Sequence, residues 1–328
     1  MRYKELGNTG KQISAIALGS WGIGGAGWDA AKKQESIAVI HQMLAHGVNV
    51  IDTAPVYGFV RPGEEDYGYG YAEKVIGEAI KDRREEIFLV TKCGLNYDRK
   101  QGPQSMYRSM TRQEIIDGCE GSLKRLGTDY IDLLFVHWPD GKTPLEEMTD
   151  AMGTLIRQGK ILHYGLSNFS WEDTCLADDL LHVAAVQLPY SMADPGNGDL
   201  LLSAKGRGIG TMTYGSLGSG ILTGAYRTIP VFDKTDARSS FYHFFEEPVF
   251  GRIQKLLAVM DEVAAAHGVS VSQVAIQWNI KKAFTDTAIL GVSKTKHVQQ
   301  NCGASEWDMS EEEMGRLDTA VHQYIMKE

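Results

Sequence analysis

Cysteine is scarce in this chain and does not cluster: among 328 residues there are four, Cys93, Cys119, Cys175 and Cys302, with no CxxC pair. That spacing argues against a disulfide framework and a cysteine-based zinc site, and reduced thiols are expected. His41, His46, His163 and His182 also lack ligand spacing, and no metal is assigned. Long apolar runs are missing too. Each is broken by a charge well before the ~18 residues that a membrane span requires. The start, MRYKELGNTGKQIS, puts Arg2, Lys4, Glu5 and Lys11 where a secretory leader needs an apolar stretch, so a cytoplasmic location is expected. Basic charge is in deficit: 33 Lys and Arg against 42 Asp and Glu leave a net −9. This is the wrong sign for a protein that neutralises the phosphates of nucleic acid or an anionic membrane surface. No linker or low-complexity tract divides the chain, and one domain over residues 1–328 is expected.

What is present is a repeated unit: a short β-branched run, a polar or glycine-rich loop, then an amphipathic stretch. Eight strands are expected, at 13–20, 48–54, 87–92, 131–137, 161–167, 184–190, 208–214 and 287–293. Helix starts are marked by a capping side chain with Glu or Gln three positions on, at Thr111/Glu114, Thr143/Glu146, Ser270/Gln273 and Ser310/Glu313. The helix from 112 places Ile115, Ile116, Cys119, Leu123 and Leu126 on one stripe and stops at Gly127. Eight such units predict an α/β fold, a (β/α)8 TIM barrel, with a six-stranded doubly wound sheet as the competitor. An N-terminal β-hairpin around Gly7–Gly10 would plug the barrel's bottom, and residues 216–247 form an extended βα loop at the mouth.

Four reactive side chains fall at the carboxyl ends of expected strands: Asp52 with Tyr57 beyond it, Lys92 and His137. In a barrel they converge on one mouth. A phenol of ordinary pKa about 10 becomes a useful proton donor when a cation stabilises the phenolate. Lys92 would supply that charge, Asp52 would hold the lysine, and His137 would polarise the same substrate oxygen. No GxSxG elbow, HExxH motif or opposed carboxylate pair supplies a nucleophile, so negative charge on that oxygen must arrive as hydride from a cofactor.

LGSWGIGG (18–25), NVIDTAPVYG (49–58), VTKCG (90–94), YIDLLFVHWPD (130–140), GKILHYGLSNF (159–169), VQLPYS (186–191), TYGSLGSGILTG (213–224) and LGVSKTKHVQQN (290–301) together resemble the aldo-keto reductase family, from Leu6 to Gln323. The resemblance implies an NAD(P)H-dependent oxidoreductase acting on small carbonyl compounds or alcohols, with Asp52, Tyr57, Lys92 and His137 as its catalytic tetrad. It implies that Ser167, Asn168 and Gln187 hold the nicotinamide carboxamide, that Tyr214 stacks on the ring, and that Ser20 and Trp21 line the cofactor beside Asp52. Gly215, Ser216, Leu217, Gly218 and Ser219 would follow the pyrophosphate. Gly291, Ser293, Lys294, His297 and Asn301 would surround the adenosine half. His297, Gln300 and Ala225 depart from the family's usual residues, and Lys294 tips the expected choice toward NADPH, with NADH possible. Trp28 and Trp138 would join Tyr57 and His137 around the substrate.

Three other readings compete. Gly22–Gly27 satisfies GxGxxG after a strand, as a Rossmann fingerprint would, but Trp28 and Asp29 follow it, and the stripe of Ile37, Ile40 and Leu44 starts a helix only near residue 33. The glycines are therefore expected to form a mouth loop. Some members of the resembled family are auxiliary proteins bound to channels or other partners, which allows a nicotinamide-sensing regulatory subunit. A barrel hydrolase would need a second carboxylate at the mouth. Cys93, beside Lys92, is expected to be a buried inert thiol.

Overall fold

The computed structural model describes residues 1–25, 32–58, 68–97, 105–233, 236–239 and 242–326. At the N-terminus, Tyr3–Glu5 (β1) pairs antiparallel with Gln12–Ser14 (β2). Gly7 and Gly10 turn the chain between them with φ of 50° and 69°. This hairpin carries Leu6 and Ile13, both fully buried, into the same cluster as Ala17, Val50, Phe88, Leu133, Ala185 and Met212 inside the barrel. Two apolar side chains thus close the bottom, as the sequence suggests.

The barrel strands follow: Ile16–Gly19 (β3), Val50–Asp52 (β4) and Phe88–Cys93 (β5). A second hairpin, Leu95–Tyr97 (β6) with Met106–Arg108 (β7), rises directly from the end of β5. Ile131–Val136 (β8), Ile161–Ser167 (β9), Ala185–Pro189 (β10), Gly210–Tyr214 (β11) and Thr287–Gly291 (β12) complete the set. The eight strands β3, β4, β5, β8, β9, β10, β11 and β12 close into a parallel barrel in chain order, each within an expected strand except β5, which runs one residue past it to Cys93. Closure rules out the doubly wound sheet, and with it the Rossmann reading. Side-chain volume governs the interior: a Cβ on Gly165 would stand 2.5 Å from the Phe135 ring.

The helices are Trp21–Gly24 (α1), Lys33–Ala45 (α2), Tyr71–Ile80 (α3), Arg112–Leu126 (α4), Leu145–Arg157 (α5), Trp171–Leu180 (α6) and Gly198–Gly206 (α7). Val249–His267 (α8), Val271–Lys281 (α9), Val298–Gly303 (α10) and Glu311–Val321 (α11) follow. Their apolar faces form one core with the outer side of the barrel. In α4, Ile115, Cys119 and Leu126 are buried, and Gly127 caps the end at φ 66°. Capping boxes form at Ser270/Gln273 and Ser310/Glu313. They do not form at the other two starts. Glu114 accepts from Asn96 and Tyr107, and the Thr143 hydroxyl donates to Asp140, so tertiary partners take the groups that local capping would use. The glycine segment also differs from a plain loop: its first residues make the single turn α1, closed by Gly25 at φ 74°. No described helix is long and apolar enough to cross a membrane.

Candidate active site

Asp52 ends β4 and Lys92 lies near the end of β5, adjacent strands whose register sets Asp52 against Val90. Both side chains point into the barrel and are almost completely buried. The Lys92 ammonium donates to both carboxylate oxygens of Asp52, at 2.7 and 2.8 Å, and to the Thr53 carbonyl at 2.9 Å. At 3.3 Å it also donates to the Tyr57 hydroxyl oxygen. The Gln187 amide, from β10, donates to Asp52 at 2.8 Å. The tetrad expected from sequence therefore meets in space, with His137 presenting its ring edge-on to Tyr57 at 6.1 Å between centroids.

Tyr57 sits on a loop whose backbone is tied at several points. Its N–H donates to the Ala54 carbonyl, its carbonyl accepts from the Ala72 N–H, and the Gly70 N–H donates to the Pro55 carbonyl at 2.6 Å. The last two bonds come from the start of α3. That start is anchored by Glu73, a fully buried carboxylate that accepts from the Thr91 hydroxyl at 2.7 Å and the Arg125 guanidinium at 2.6 Å. Thr91 precedes Lys92 on β5. On the other side, Gly24 of α1 lies so close that a Cβ there would stand 2.4 Å from the Gly58 nitrogen. The loop is held between α1 and α3.

The electrostatics correct one expectation. The Tyr57 phenol is not made more acidic: burial, Asp52 and the Tyr242 phenol hold its pKa well above the ordinary 10.0. Asp52 lies directly on the ammonium and cancels most of its field at the phenol, so desolvation prevails. Burial likewise lowers the Lys92 ammonium, against the pull of Asp52 and Glu73. His137 is held well below 6.5 by burial, Lys92 and Arg108, which makes it a neutral imidazole. Tyr57 is thus a protonated phenol, and among the described residues nothing accepts its own proton. Nor does any described residue hydrogen-bond the His137 ring. Two unspent polar groups face one mouth.

Along the rest of the rim, Asn168 donates to the His137 carbonyl and the Ser167 hydroxyl, both at 3.0 Å, and accepts from the Tyr214 hydroxyl at 2.9 Å. Asn168 has φ 64°, a left-handed conformation that asparagine tolerates. Trp21 lies nearly parallel to Tyr57, 6.4 Å between centroids. After β11, Gly215 has φ 70°, and Gly218, Ser219 and Gly220 all have positive φ, bending residues 215–220 sharply beyond Ser216 and Leu217. Ser20 and Thr53 flank the Asp52 strand end, and each hydroxyl is buried without a partner. Gly291 ends β12, and beyond it Ser293, Lys294, His297 and the buried Asn301 stand around the start of α10. His297 is lowered by burial, Lys296 and Lys294, which marks a local cationic cluster. Trp28 lies outside the described residues. Trp138 is present at the mouth, under the Arg108 guanidinium at 4.6 Å. Cys93 is buried, and burial pushes its thiol up.

Several participants were missed by sequence reasoning. Glu73 and Arg125 act from behind β5, where a helix-start carboxylate and a helix-end arginine look like ordinary dipole partners. Arg108 is invisible without the β6–β7 hairpin, whose strands are three residues each. Tyr242, stacked on Phe244, carried a weak signal as part of the aromatic run in the long loop.

A model of the Aldo/keto reductase family matches residues 15–322. The chain is 34% identical over 331 residues to Aldo-keto reductase YhdN of Bacillus subtilis (strain 168), covering 99% of this chain and 95% of that protein. It is 30% identical to a probable voltage-gated potassium channel subunit beta of Arabidopsis thaliana, over 93% of this chain and 91% of the other. Among solved structures, the glycerol dehydrogenase AKR11B4 of Gluconobacter oxydans superposes with a TM-score of 0.87 at 29% identity, covering 99% and 97% of the two chains.

Proposed function

Because the chain belongs to the aldo/keto reductase family, we propose that it is an NAD(P)H-dependent oxidoreductase that reduces an aldehyde or ketone to an alcohol, and runs in reverse, with Tyr57 as the general acid and base. The observation that carries this reading is the Tyr57 hydroxyl: its oxygen accepts from Lys92 at 3.3 Å while no described residue takes its proton. That proton is available to an incoming oxygen.

The residues present fit a nicotinamide cofactor. The unpartnered hydroxyls of Ser20 and Thr53 beside Asp52 are buried polar groups that a ligand would satisfy. Ser167, Asn168 and Gln187 would hold the carboxamide, Tyr214 would stack on the ring, Ser20 and Trp21 would line the cofactor, and the 215–219 backbone would follow the pyrophosphate. Gly291, Ser293, Lys294, His297 and Asn301 would take the adenosine half. The cationic cluster there favours NADPH, through a 2′-phosphate, over NADH. When bound, the reduced nicotinamide supplies a hydride, hence the electron pair, to a carbonyl carbon.

Tyr57 completes the balance by giving its proton to the carbonyl oxygen as that oxygen becomes negative. Lys92 stabilises the phenolate left behind, since its ammonium lies within hydrogen-bond distance of the phenol oxygen, at 3.3 Å. Asp52 keeps the ammonium in place, and Gln187 fixes Asp52. His137, neutral and able to donate one N–H, orients and polarises the substrate oxygen. The raised phenol pKa suits the reductive direction, in which the acid must be protonated at neutral pH. Trp138 supplies apolar cover.

Replacing Tyr57 with Phe removes the proton while keeping the ring. General acid catalysis accounts for roughly 10²–10⁴-fold, so kcat for NADPH-dependent reduction of a test aldehyde should fall by at least about 100-fold. NADPH affinity, read by fluorescence titration, should stay within a few-fold. Near-normal turnover would overturn the assignment.

The similarity to channel β subunits supports a second reading, a nicotinamide-sensing regulatory subunit with little turnover. Tight NADPH binding without measurable reduction of any carbonyl, together with a stable hetero-complex on native purification, would favour it.

A further inference from the structure

We infer that Arg108 gives the mouth a preference for carbonyl substrates that carry a carboxylate. This rests on the reductase reading and adds the substrate class.

Arg108 ends β7 and pairs with Leu95, two residues beyond the last residue of β5. The Ser109 N–H donates to the Gly94 carbonyl, and the His137 N–H donates to the Cys93 carbonyl at 2.9 Å. The hairpin therefore stands directly over the strand ends that carry Lys92 and His137. From this perch the guanidinium lies 4.6 Å from the centre of the Trp138 ring, next in sequence to His137. Among the described residues nothing accepts from its N–H donors, which leaves the fork available to bind a carboxylate in two parallel hydrogen bonds.

Among the described residues its charge has no ion-pair partner. Nine arginines hold a carboxylate within ion-pair distance: Arg2, Arg83, Arg84, Arg112, Arg125, Arg207, Arg227, Arg238 and Arg316. Arg108 has none among the described residues. Among the described residues, the two acids named next, both near the hairpin, are occupied elsewhere. Asp140 accepts from the Met110, Lys142 and Thr143 N–H groups and the Thr143 hydroxyl. Glu114 accepts from Asn96 and Tyr107. Inside the mouth the Lys92 and Asp52 charges offset each other and His137 is neutral. On the far rim, Asp194 is drawn toward its neutral form by burial. Among the described residues, the substrate side of a chain with net charge −9 thus presents an exposed, pre-positioned cation at Arg108. In a molecule that otherwise repels anions, that local reversal of sign selects for them.

The test compares carboxylate-bearing aldehydes with their neutral methyl esters: 4-oxobutanoate with methyl 4-oxobutanoate, and 2-carboxybenzaldehyde with its ester, using NADPH. In the natural protein the acid should be preferred by about tenfold in kcat/KM, chiefly through KM, in at least one pair. That preference should shrink as salt is raised, because ions screen an exposed pair. In Arg108→Gln the acid-to-ester ratio should fall to about 1 or below, and in Arg108→Lys it should be partly retained. Equal ratios in the natural protein and Arg108→Gln, or a preference for both esters at low salt, would overturn the inference. Failure to turn over acid and ester alike would strike the reductase reading itself, and this inference with it.

Discussion

Glu73 shows how a residue buried behind the barrel strands can hold the loop that carries Tyr57. Its carboxylate is fully buried, joins Thr91 on β5 to Arg125 on α4, and sits on the helix whose first N–H groups hold the Tyr57 loop. Removing one member of a buried ion pair leaves the other charge without a partner, at a cost of about 3–5 kcal/mol. Glu73→Ala should therefore lower unfolding free energy by about that much in urea titration. Glu73→Ala combined with Arg125→Met, which removes both charges, should recover a substantial part of the loss. Additive losses in the double variant would show that the pair does not act as a unit. The four mouth side chains were legible in sequence because Asp52, Lys92 and His137 stand at strand ends and Tyr57 follows Asp52 on the same loop. The sign of the Tyr57 shift was not legible, since it depends on the few ångströms separating Asp52 from Lys92 and on the phenol's own desolvation.

Among the elements, the short turn α1 bears on the site most directly. The approach of Gly24 to Gly58 leaves no room for a methyl group against backbone. Gly24→Ala must push α1 and the Tyr57 loop apart, an overpacking cost of about 1–3 kcal/mol. On the proposed role of Tyr57 as general acid, which requires close placement of the phenol, kcat should fall by roughly tenfold or more, while thermal unfolding shows only a modest drop in Tm. Unchanged kcat in a folded variant would mean that this contact does not position Tyr57. The barrel strands were readable from their β-branched runs, and two of the four helix starts from their capping boxes. The β6–β7 hairpin and α1 were not. Segments of three or four residues that lie outside a longer β-branched run or a glycine turn carry no such signal, and their conformation comes from what they lie against.

For the whole molecule, burial of thiols gives a pH-dependent stability with a defined sign. Cys119 is pushed up to about 12 and Cys302 to about 11, both chiefly by burial, and Cys93 is raised as well. In the unfolded chain these thiols lose their protons near 9.0. Above that pH the folded state binds more protons than the unfolded one, so stability should fall as pH climbs from about 9 toward 11. Urea midpoints across that range check the slope, and a flat profile would contradict it. At pH 8 in native buffer, Cys175, which alone among the four is only partly buried, should be the thiol that iodoacetamide labels first.

From sequence alone came the architecture, the four reactive residues and the family they resemble, because periodicity and strand-end position are one-dimensional properties that a folded barrel converts into a shared mouth. The neutral state of His137, the protonated phenol of Tyr57, the brace of Glu73 and Arg125, and the unpaired guanidinium of Arg108 over Trp138 emerged only in three dimensions. Each depends on how far one charge lies from another and how much water lies between them, quantities that have no value until the chain is closed.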